Sequence, residues 1–322
     1  MNADSQALPP GAADATRGTG GIEPPPRVLV IVVHWNGYDA TASCLESLLR
    51  LTYTHHRLLV IDNGSEDGSG ERLRARFPDI DIHRSDDNLL YAGGANLGLQ
   101  RAVARGDDFA VILNNDTEVA PDLLEQLLEV ARRDEKIGLL GPKIFYTEPR
   151  NLIWSAGGRI DLWSGLTHHL GLRRPDGPEF QVERDVDYVT GCCIMARRQL
   201  LVDVGYLDTS YYMYSEDADW SARSRARGYR VSFAPRAHVW HAVSAASGGG
   251  TTAYKTYHRV RSNLLFLTRH ARPYHWLTIP FLMPFHVFGL AWREIRRGNG
   301  RVVTAGLRAL LDLVLRAPRR AP

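Results

Sequence analysis

Cysteine is scarce in this chain of 322 residues, where it occurs only at positions 44, 192 and 193. An odd number with two adjacent members implies no disulfide framework, and no cysteine has the C-x-x-C or C-x-x-H spacing that would indicate zinc. The first residues also lack the basic region and apolar run of a secretory signal. We therefore expect a cytoplasmic protein.

A strong overall charge is also absent, because the formal net charge is only +3. From Tyr254 to the end, however, thirteen Lys and Arg stand against Glu294 and Asp312, which leaves a net charge of −8 on the residues before it. An acidic front with a basic tail suits a metal-dependent catalytic domain followed by a segment that faces an anionic partner. Because the front is acidic and has no recognition motif, we expect no nucleic-acid binding.

An uninterrupted apolar run of transmembrane length is missing as well. The most apolar stretch, residues 276–292, is broken by Pro280 and Pro284, and its Trp flanks and basic neighbours favour a position in a membrane interface. Amphipathic helices are predicted on either side of it, over 254–271 and 300–316. Packing of these helices against the rest of the protein is the alternative, and both remain open at this stage.

Apolar runs alternate with helical patterns in the first half of the chain. Strands are predicted over 28–33, 56–61, 80–83 and 109–113, and helices over 39–50, 68–76, about 96–104 and 122–133. This alternation indicates right-handed βαβ units and a parallel sheet, whose ligands bind beyond the carboxyl ends of the strands. A mixed sheet then completes one catalytic domain, with short strands predicted over 139–145, 152–156, 186–190, 193–196 and 230–233.

Polar clusters follow the predicted strands at their carboxyl ends. Asp62 ends the second strand, where a carboxylate can accept hydrogen bonds from a base or a ribose. Asp116 follows a later strand and can offer an oxygen to Mg²⁺ or Mn²⁺, which prefer hard oxygen ligands. Taken singly, each cluster is explained at least as well by an ordinary turn.

A glycine-rich stretch lies between these two clusters. Gly93 and Gly94, with Asn96, predict a loop whose backbone can approach a ligand without a side-chain clash. Neither this stretch nor the turn at residues 34–37 has the G-x-G-x-x-G spacing. That absence argues against a nicotinamide-dependent dehydrogenase.

Three carboxylates fall within four residues on a predicted helix start, at Glu216, Asp217 and Asp219. Acids there can simply stabilise a helix N-terminus. The chemical alternative is a general base that removes a proton from an acceptor hydroxyl. Further on, His238 and His241 lie in a strand or loop context, where one can ligate a metal while the other belongs to the core or the surface.

The ordered set of motifs is more specific than any one member. The segments HWNG, DNGS, YAGGAN, LNND, GCCIMARR, SEDADW and HVWH occur in this order, and together they resemble the family 2 glycosyltransferases, in particular the rhamnosyltransferase-type branch that builds cell-surface polysaccharide and cell-wall linkers. The resemblance covers about residues 27–270. It implies an α/β fold of the GT-A (Rossmann-like) type, with a mixed, mainly parallel central sheet flanked by helices and a C-terminal helical extension. The expected parts are a disordered tail (1–26), a catalytic domain (27–253) and a basic amphipathic helical extension (254–322).

The resemblance also implies roles for single residues. Asp217 matches the catalytic base of an inverting mechanism. Asp116 matches the last carboxylate of the family's Asp-x-Asp motif, which ligates Mg²⁺ or Mn²⁺, and His241 matches a position that can add a ligand. Asn114 replaces the first Asp of that motif, so the ion has one fewer charged ligand here. The nucleotide sugar would be held by Asn36, Asp62, Gly93, Gly94, Asn96 and Asn115, and the acceptor by Gly191, Glu216 and Trp220.

The implied donor is a nucleoside diphosphate sugar, either dTDP-rhamnose or a UDP-sugar. The implied acceptor is a hydroxyl of a glycan or of a polyprenyl-diphosphate-linked glycan, and the basic tail suits an anionic membrane surface at the inner face of the cell membrane. A nucleotidyltransferase is one alternative, but the chain lacks a Gly-rich, Lys- or Arg-bearing phosphate loop after the first strand. A non-catalytic nucleotide-sugar-binding protein is the other, and it would not need Asp217.

Overall fold

The computed structural model describes residues 24–243, 252–283, 292, 295–296 and 298–315. Most of the predicted disordered tail therefore lies outside the described residues. The strands are β1 (Val28–His34), β2 (His56–Asp62), β3 (Asp81–Arg84), β4 (Phe109–Asn114), β5 (Thr117–Val119), β6 (Ile137–Tyr146), β7 (Ile153–Ser155), β8 (Gly158–Asp161), β9 (Leu166–His169), β10 (Arg184–Asp185), β11 (Cys193–Arg197) and β12 (Arg230–His241). The helices are α1 (Tyr38–Leu48), α2 (Ser69–Arg76), α3 (Leu90–Arg105), α4 (Leu123–Ala131), α5 (Arg198–Val204), α6 (Glu216–Ala226), α7 (Ala253–His270) and α8 (Gly300–Leu315).

The central sheet is mixed and has the strand order β10-β12-β6-β11-β4-β1-β2-β3. β1 runs parallel to β2 and β4, β2 runs parallel to β3, and β12 runs parallel to β6. β11 lies antiparallel between β4 and β6. The predicted mixed, mainly parallel sheet is thus confirmed, and the start of β11 meets the carboxyl ends of β1, β2 and β4 at one edge.

Helices cover both faces of the sheet, which is why every residue of β1 is buried. The register places His34 beside Asp62 and Val33 beside Asn114, so three strands end at nearly the same level. On one face, α3 lies close to β1 because Gly98 has no side chain, and a Cβ there would clash with Ile31. Because the three strands end at nearly the same level, the loops that follow them begin next to one another at this edge of the sheet.

Two predictions of local structure are wrong. Gly93, Gly94 and Asn96 lie inside α3, not in a loop before it, because side chains accept from the N–H groups at the helix start: Leu89 N donates to Asn63 Oδ1 at 3.0 Å, and Leu90 N to Asn88 Oδ1 at 2.8 Å.

The other error concerns residues 186–190, which do not form a strand. The N–H groups of Asp187 and Tyr188 both donate to the carbonyl oxygen of Gly158, at 2.9 and 3.3 Å. In a regular ladder, only every second residue of a strand donates to a given neighbouring strand. Two consecutive donors to one acceptor interrupt that pattern here. The segment therefore makes one isolated bridge between Gly158 and Tyr188.

α7 packs against the part of the chain that precedes it, which is one of the two positions that the sequence left open. Phe266 and Leu267 join Tyr188, Tyr211 and Ile279 in an apolar cluster. α8 in turn contacts α7, where Tyr257 donates to Asp312 Oδ2 at 2.7 Å. In the described part of the chain, no helix combines the length and the apolar composition needed to cross a membrane.

Candidate active site

The loops after β1 and β2 are joined by hydrogen bonds at the edge of the sheet. Asn36, which has a left-handed φ of 53°, donates its backbone N–H to Ser65 Oγ at 3.0 Å. Its side-chain Oδ1 accepts from Glu66 N at 3.0 Å. Asn36 therefore braces the two loops, and its predicted contact with the donor stays a prediction.

Asp62 is completely buried beneath these loops. Its Oδ1 accepts from Ser65 N at 3.1 Å, and its Oδ2 lies 3.7 Å from Arg74 Nη2 and 3.8 Å from Arg84 Nη1 without a hydrogen bond. A Cβ at Gly70 would clash with this oxygen, so the carboxylate points at the start of α2. The contacts give Asp62 a role in holding the turn, and its predicted role in binding the nucleoside base stays a prediction.

The predicted nucleotide residues of α3 have structural contacts. Asn96 uses both ends of its amide on Leu207: Nδ2 donates to the carbonyl oxygen at 2.8 Å, and Oδ1 accepts from the N–H at 3.0 Å. A Cβ at Gly94 would lie 3.0 Å from Val33 Cγ1, and one at Gly93 would lie 2.7 Å from Leu89 Cβ. The glycines allow close packing, and nucleotide binding by these three residues remains a prediction.

Asn115 and Asp116 form the turn between β4 and β5. The Asn115 side chain donates to Thr41 Oγ1 at 2.8 Å, which ties the turn to α1. Asp116 Oδ1 lies 3.1 Å from His241 Nε2, and the exposed fractions of the two side chains are 9% and 8%. His238, the other histidine of the HVWH motif, instead lies edge-on to Phe145 with the ring centroids 5.5 Å apart. His241 is thus the histidine that the fold brings to Asp116.

The Asp116–His241 pair fits one divalent ion. His241 could ligate such an ion through Nε2 only with its ring proton on Nδ1, which is buried and has no hydrogen-bond partner in the structure. Two ligands at adjacent corners of an octahedron with bonds of about 2.1 Å lie roughly 3 Å apart, which matches this pair. In the described part of the chain, no group of three or more His, Cys, Asp or Glu side chains could hold a metal. A bound ion would therefore take its other ligands from water and a substrate diphosphate.

Asp217 lies at the start of α6 and contacts the loop before β11. Its Oδ2 accepts from Gly191 N at 2.9 Å, and its Oδ1 accepts from Ala218 N at 2.8 Å. A Cβ at Gly191 would lie 3.1 Å from the Tyr91 ring, whose hydroxyl donates to the Gly191 carbonyl oxygen. The missing side chain at Gly191 therefore leaves room for the Tyr91 ring, and the Gly191 N–H joins two predicted site residues, Gly191 and Asp217.

Glu216 and Asp217 form a pair of acids with different surroundings. Burial, followed by the negative charge of Asp217, raises the pKa of Glu216 to about 8, and Glu216 Oε2 is buried without a hydrogen-bond partner. Burial also raises the pKa of Asp217, but the N–H groups of Gly191 and Ala218 oppose that shift. Of the two acids, Glu216 therefore holds its proton more strongly, because Asp217 alone accepts from the N–H groups of Gly191 and Ala218.

The turn that precedes these acids has an unusual backbone. Tyr214 and Ser215 are consecutive non-glycine residues with positive φ angles, 70° and 67°. Left-handed conformations of this kind cost free energy and persist where surrounding contacts enforce them, often at functional sites. Arg259 of α7 lies over the Tyr214 ring, 5.0 Å from its centroid. α7 therefore supports the turn that positions Asp217.

Two other predicted residues of this helix have different positions. Trp220 is completely buried, and its indole N–H donates to the Gly205 carbonyl oxygen at 3.0 Å. The ring is therefore part of the core, and the predicted acceptor contact of Trp220 stays a prediction. Asp219 is buried and paired with Arg223 at 2.7 Å and with His270 at 2.8 Å, which makes it a structural acid.

An aromatic row beside His241 was missed by the sequence reasoning. The Trp154 ring lies edge-on to His241 with centroids 4.7 Å apart, and 4.6 Å from the ring of His169, which in turn lies 5.8 Å from Tyr188. Burial, with the nearby charges of Arg259 and His241, lowers the pKa of His169 to about 4, so this ring is neutral at neutral pH. No local sequence pattern indicates this row, because its members are brought together from positions 154, 169, 188 and 241 of the chain.

Comparisons with known proteins identify the family and the fold. The family model of glycosyl transferase family 2 matches residues 29–205, which is more than half of the chain. The N-acetylglucosaminyl-diphospho-decaprenol L-rhamnosyltransferase of Mycobacterium tuberculosis is 27% identical over 254 residues, which cover 70% of this chain and 80% of that protein.

Two solved structures resemble the whole fold. Mannosyltransferase PcManGT from Pyrobaculum calidifontis, in complex with GDP-Man and Mn²⁺, matches with a TM-score of 0.58 and 15% identity over 91% of this chain and 88% of that one. GalNAc-T7, with UDP, GalNAc and Mn²⁺, matches with a TM-score of 0.58 and 17% identity over 74% of this chain and 47% of that one. At these identities the likeness concerns the fold alone, and it confirms the predicted GT-A type.

Proposed function

The chain belongs to glycosyl transferase family 2, and from this premise we propose that it is an inverting rhamnosyltransferase acting on a lipid-linked glycan. The Mycobacterium tuberculosis relative is named for the transfer of L-rhamnose to N-acetylglucosaminyl-diphospho-decaprenol. Its 80% coverage supports the same classes of donor and acceptor for this chain: a nucleoside diphosphate sugar, dTDP-rhamnose before a UDP-sugar, and a polyprenyl-diphosphate-linked glycan.

The observation that carries the catalytic assignment is the Asp217 carboxylate, held by Gly191 N at 2.9 Å and Ala218 N at 2.8 Å. In the proposed reaction, Asp217 takes the proton of the acceptor hydroxyl as its oxygen attacks the anomeric carbon. The bond from that carbon to the donor diphosphate breaks in the same step, so the configuration inverts. The neutral Glu216 beside it keeps the added negative charge at the site low.

Asp116 and His241 are the residues that would hold Mg²⁺ or Mn²⁺. A bound divalent ion supplies neutralisation of the charge that develops on the leaving diphosphate. Asn114 provides no carboxylate, so the protein contributes one negative ligand, and we expect nucleotide and metal to bind together rather than the metal alone.

We place the protein at the inner face of the cell membrane as a peripheral enzyme. A polyprenyl-linked acceptor is confined to a membrane, and the net positive charge of residues 254–322 suits an anionic lipid surface. The non-catalytic binding protein remains the competing function. It predicts that the nucleotide sugar binds and that neither the wild type nor Asp217→Asn turns it over.

A donor screen separates these functions. Purified protein is incubated with Mn²⁺ or Mg²⁺ and a panel of nucleotide sugars, and both donor hydrolysis and nucleotide binding are measured, with Asp217→Asn and Asp116→Ala as variants. We expect dTDP-rhamnose to be turned over, metal-dependent binding to be lost in Asp116→Ala, and Asp217→Asn to bind without turnover. Binding of a donor with no turnover by the wild type, even with lipid-linked acceptor present, would favour the binding protein.

A further inference from the structure

A cluster of exposed apolar side chains covers one end of the molecule, next to α7. We call it the aromatic patch, and it consists of Trp163, Tyr274, Trp276, Leu277, Phe281 and Leu282, whose exposed fractions range from 39% to 72%. Its parts are contiguous: the rings of Trp163 and Tyr274 lie 5.6 Å apart, and Thr278 Oγ1 donates to the Trp163 carbonyl oxygen at 2.7 Å. Single exposed apolar residues are common on proteins, but a contiguous group indicates an interaction surface.

The segment that carries most of this patch, residues 274–282, is anchored by buried side chains. Ile279 is 2% exposed and packs in the apolar cluster with Phe266 and Leu267 of α7. His275 is 7% exposed, and its Nδ1 accepts from Arg272 N at 3.0 Å. One face of the segment is thus anchored in the protein while the other presents the patch to the outside. Such a surface is preorganised, and little conformational entropy is lost when it docks.

The chain segment that carries most of the patch has positive charge only. From Tyr254 to Arg293 the sequence contains no Asp or Glu, and Arg272, which is exposed, immediately precedes the patch segment. Among the described residues Arg272 has no acidic partner. A basic surface with exposed apolar groups is complementary to an anionic lipid bilayer, whose headgroups attract Lys and Arg and whose interface accommodates aromatic rings.

We propose that the aromatic patch is a membrane-docking surface that inserts Trp276, Leu277 and Phe281 between the headgroups of an anionic bilayer. In a symmetric contact with a second copy, the exposed Arg272 next to the patch would face the same residue of the other copy, which disfavours such a contact. Exposed Trp and Tyr together with aliphatic tips also match the side chains that enter the interfacial region. The reason for such docking rests on the proposed function, because a lipid-linked acceptor has to be reached at the membrane.

The patch is close in the chain to the catalytic elements. Its residue Tyr274 follows the end of α7 at His270 by four residues, and His270 contacts Asp219, which follows Asp217 by two residues. Trp163 lies in the turn of the β8–β9 hairpin, whose last residue is His169 of the aromatic row. Both borders of the patch are thus linked through short chain segments to residues next to the site.

Vesicle sedimentation of the full chain tests the proposal. Phosphatidylcholine vesicles with and without phosphatidylglycerol are compared, using wild type, Leu277→Ser/Phe281→Ser, and the control Leu49→Ser/Val202→Ser. The control residues are 59% and 61% exposed but lie directly after α1 and on α5, so they are similar to the patch pair in exposure without belonging to the patch. We expect wild type and control to bind vesicles that contain phosphatidylglycerol, and the patch variant to bind at least about tenfold more weakly.

Three further readouts separate the outcomes. Tryptophan emission of the wild type should shift to shorter wavelength and be quenched by brominated lipid. Light scattering should give the same mass for wild type and patch variant; a dimer lost in the variant, with unchanged vesicle binding, would identify a second copy as the occupant and overturn the proposal. Donor hydrolysis without vesicles should be equal in the wild type and the patch variant. Loss of vesicle binding with intact hydrolysis would then show that the variant affects the docking surface alone. Absence of hydrolysis in the wild type would instead contradict the proposed function. Wild-type protein that leaves anionic vesicles unbound also overturns the docking surface.

Discussion

His270 Nε2 lies 2.8 Å from Asp219 Oδ1, so the last turn of α7 is fastened to α6 two residues beyond Asp217. Asp219 is 1% exposed and also accepts from Arg223 Nε at 2.7 Å. Burial alone would raise the pKa of Asp219, but its hydrogen bonds with His270 and Arg223 prevail and lower it. This acid therefore stays charged at neutral pH and joins the C-terminal helix to the helix that carries the candidate base.

Replacing His270 by Ala should weaken this junction. Removal of one partner leaves a buried carboxylate with fewer donors, which costs about 1–3 kcal/mol of the free energy of unfolding. Urea unfolding of His270→Ala should show this loss, and His270→Gln, which keeps one side-chain N–H donor, should recover part of it. Equal stability of all three proteins would show that the contact contributes nothing to the fold.

Glu216→Gln should change how stability depends on pH. The folded-state pKa of Glu216 is raised from its ordinary value of 4.5 to about 8, so the folded chain keeps a proton that the unfolded chain loses. The stability that the folded chain gains from holding this proton is fully present below the unfolded pKa and is lost as the pH rises through about 8. Relative to Glu216→Gln, the wild type should therefore become less stable between those values, as measured by urea unfolding across that range.

Activity provides the second comparison for this pair. Because Glu216 is neutral near pH 7, its glutamine variant should retain much of the donor turnover, whereas Asp217→Asn should lose about a hundredfold or more, as expected for removal of a general base. Parallel stability profiles for wild type and Glu216→Gln, or a greater loss of turnover in Glu216→Gln than in Asp217→Asn, would contradict the assignment of the charge.

His241→Ala should weaken metal binding without changing the strand that carries it. Loss of one of two protein ligands should raise the Kd for Mn²⁺ in the presence of nucleoside diphosphate by at least about tenfold. Electron paramagnetic resonance titration measures free Mn²⁺ directly. His238→Ala is the matched control, because His238 lies in the same strand as His241 but its ring faces Phe145 of β6. The ligand assignment is wrong if both variants bind Mn²⁺ like the wild type.

Gly98→Ala tests the close approach of α3 to β1. The added methyl group would clash with Ile31, and overpacking of this kind costs roughly 1–3 kcal/mol despite the better helix propensity of Ala. Gly300→Ala is the control, because a Cβ at Gly300 meets nothing within 4 Å. Thermal unfolding should show a lower Tm for Gly98→Ala only, and an unchanged Tm would mean that the helix moves away at no cost.

The strands of the sheet were predictable because their signal is local. Residues 28–33 form a continuous β-branched run, and such runs occur where both faces of a strand are covered. The polar turn at Asp116 was predictable for the same reason, since it interrupts an apolar run directly. Tyr188 shows the limit: its surroundings have strand-like composition, but the carbonyl that its N–H contacts belongs to Gly158, thirty residues earlier in the chain.

The amino-acid sequence by itself determined the α/β alternation, the order of the motifs and the family to which they belong, because apolar periodicity and motif spacing are properties of neighbouring residues. Only the tertiary structure decided which polar residues meet. It brought His241 to Asp116 and Gly191 to Asp217, and it placed Trp220 in the core, because these outcomes depend on strand register and helix packing between segments far apart in the chain. Whether a given side chain faces a ligand or the interior is settled by those long-range contacts.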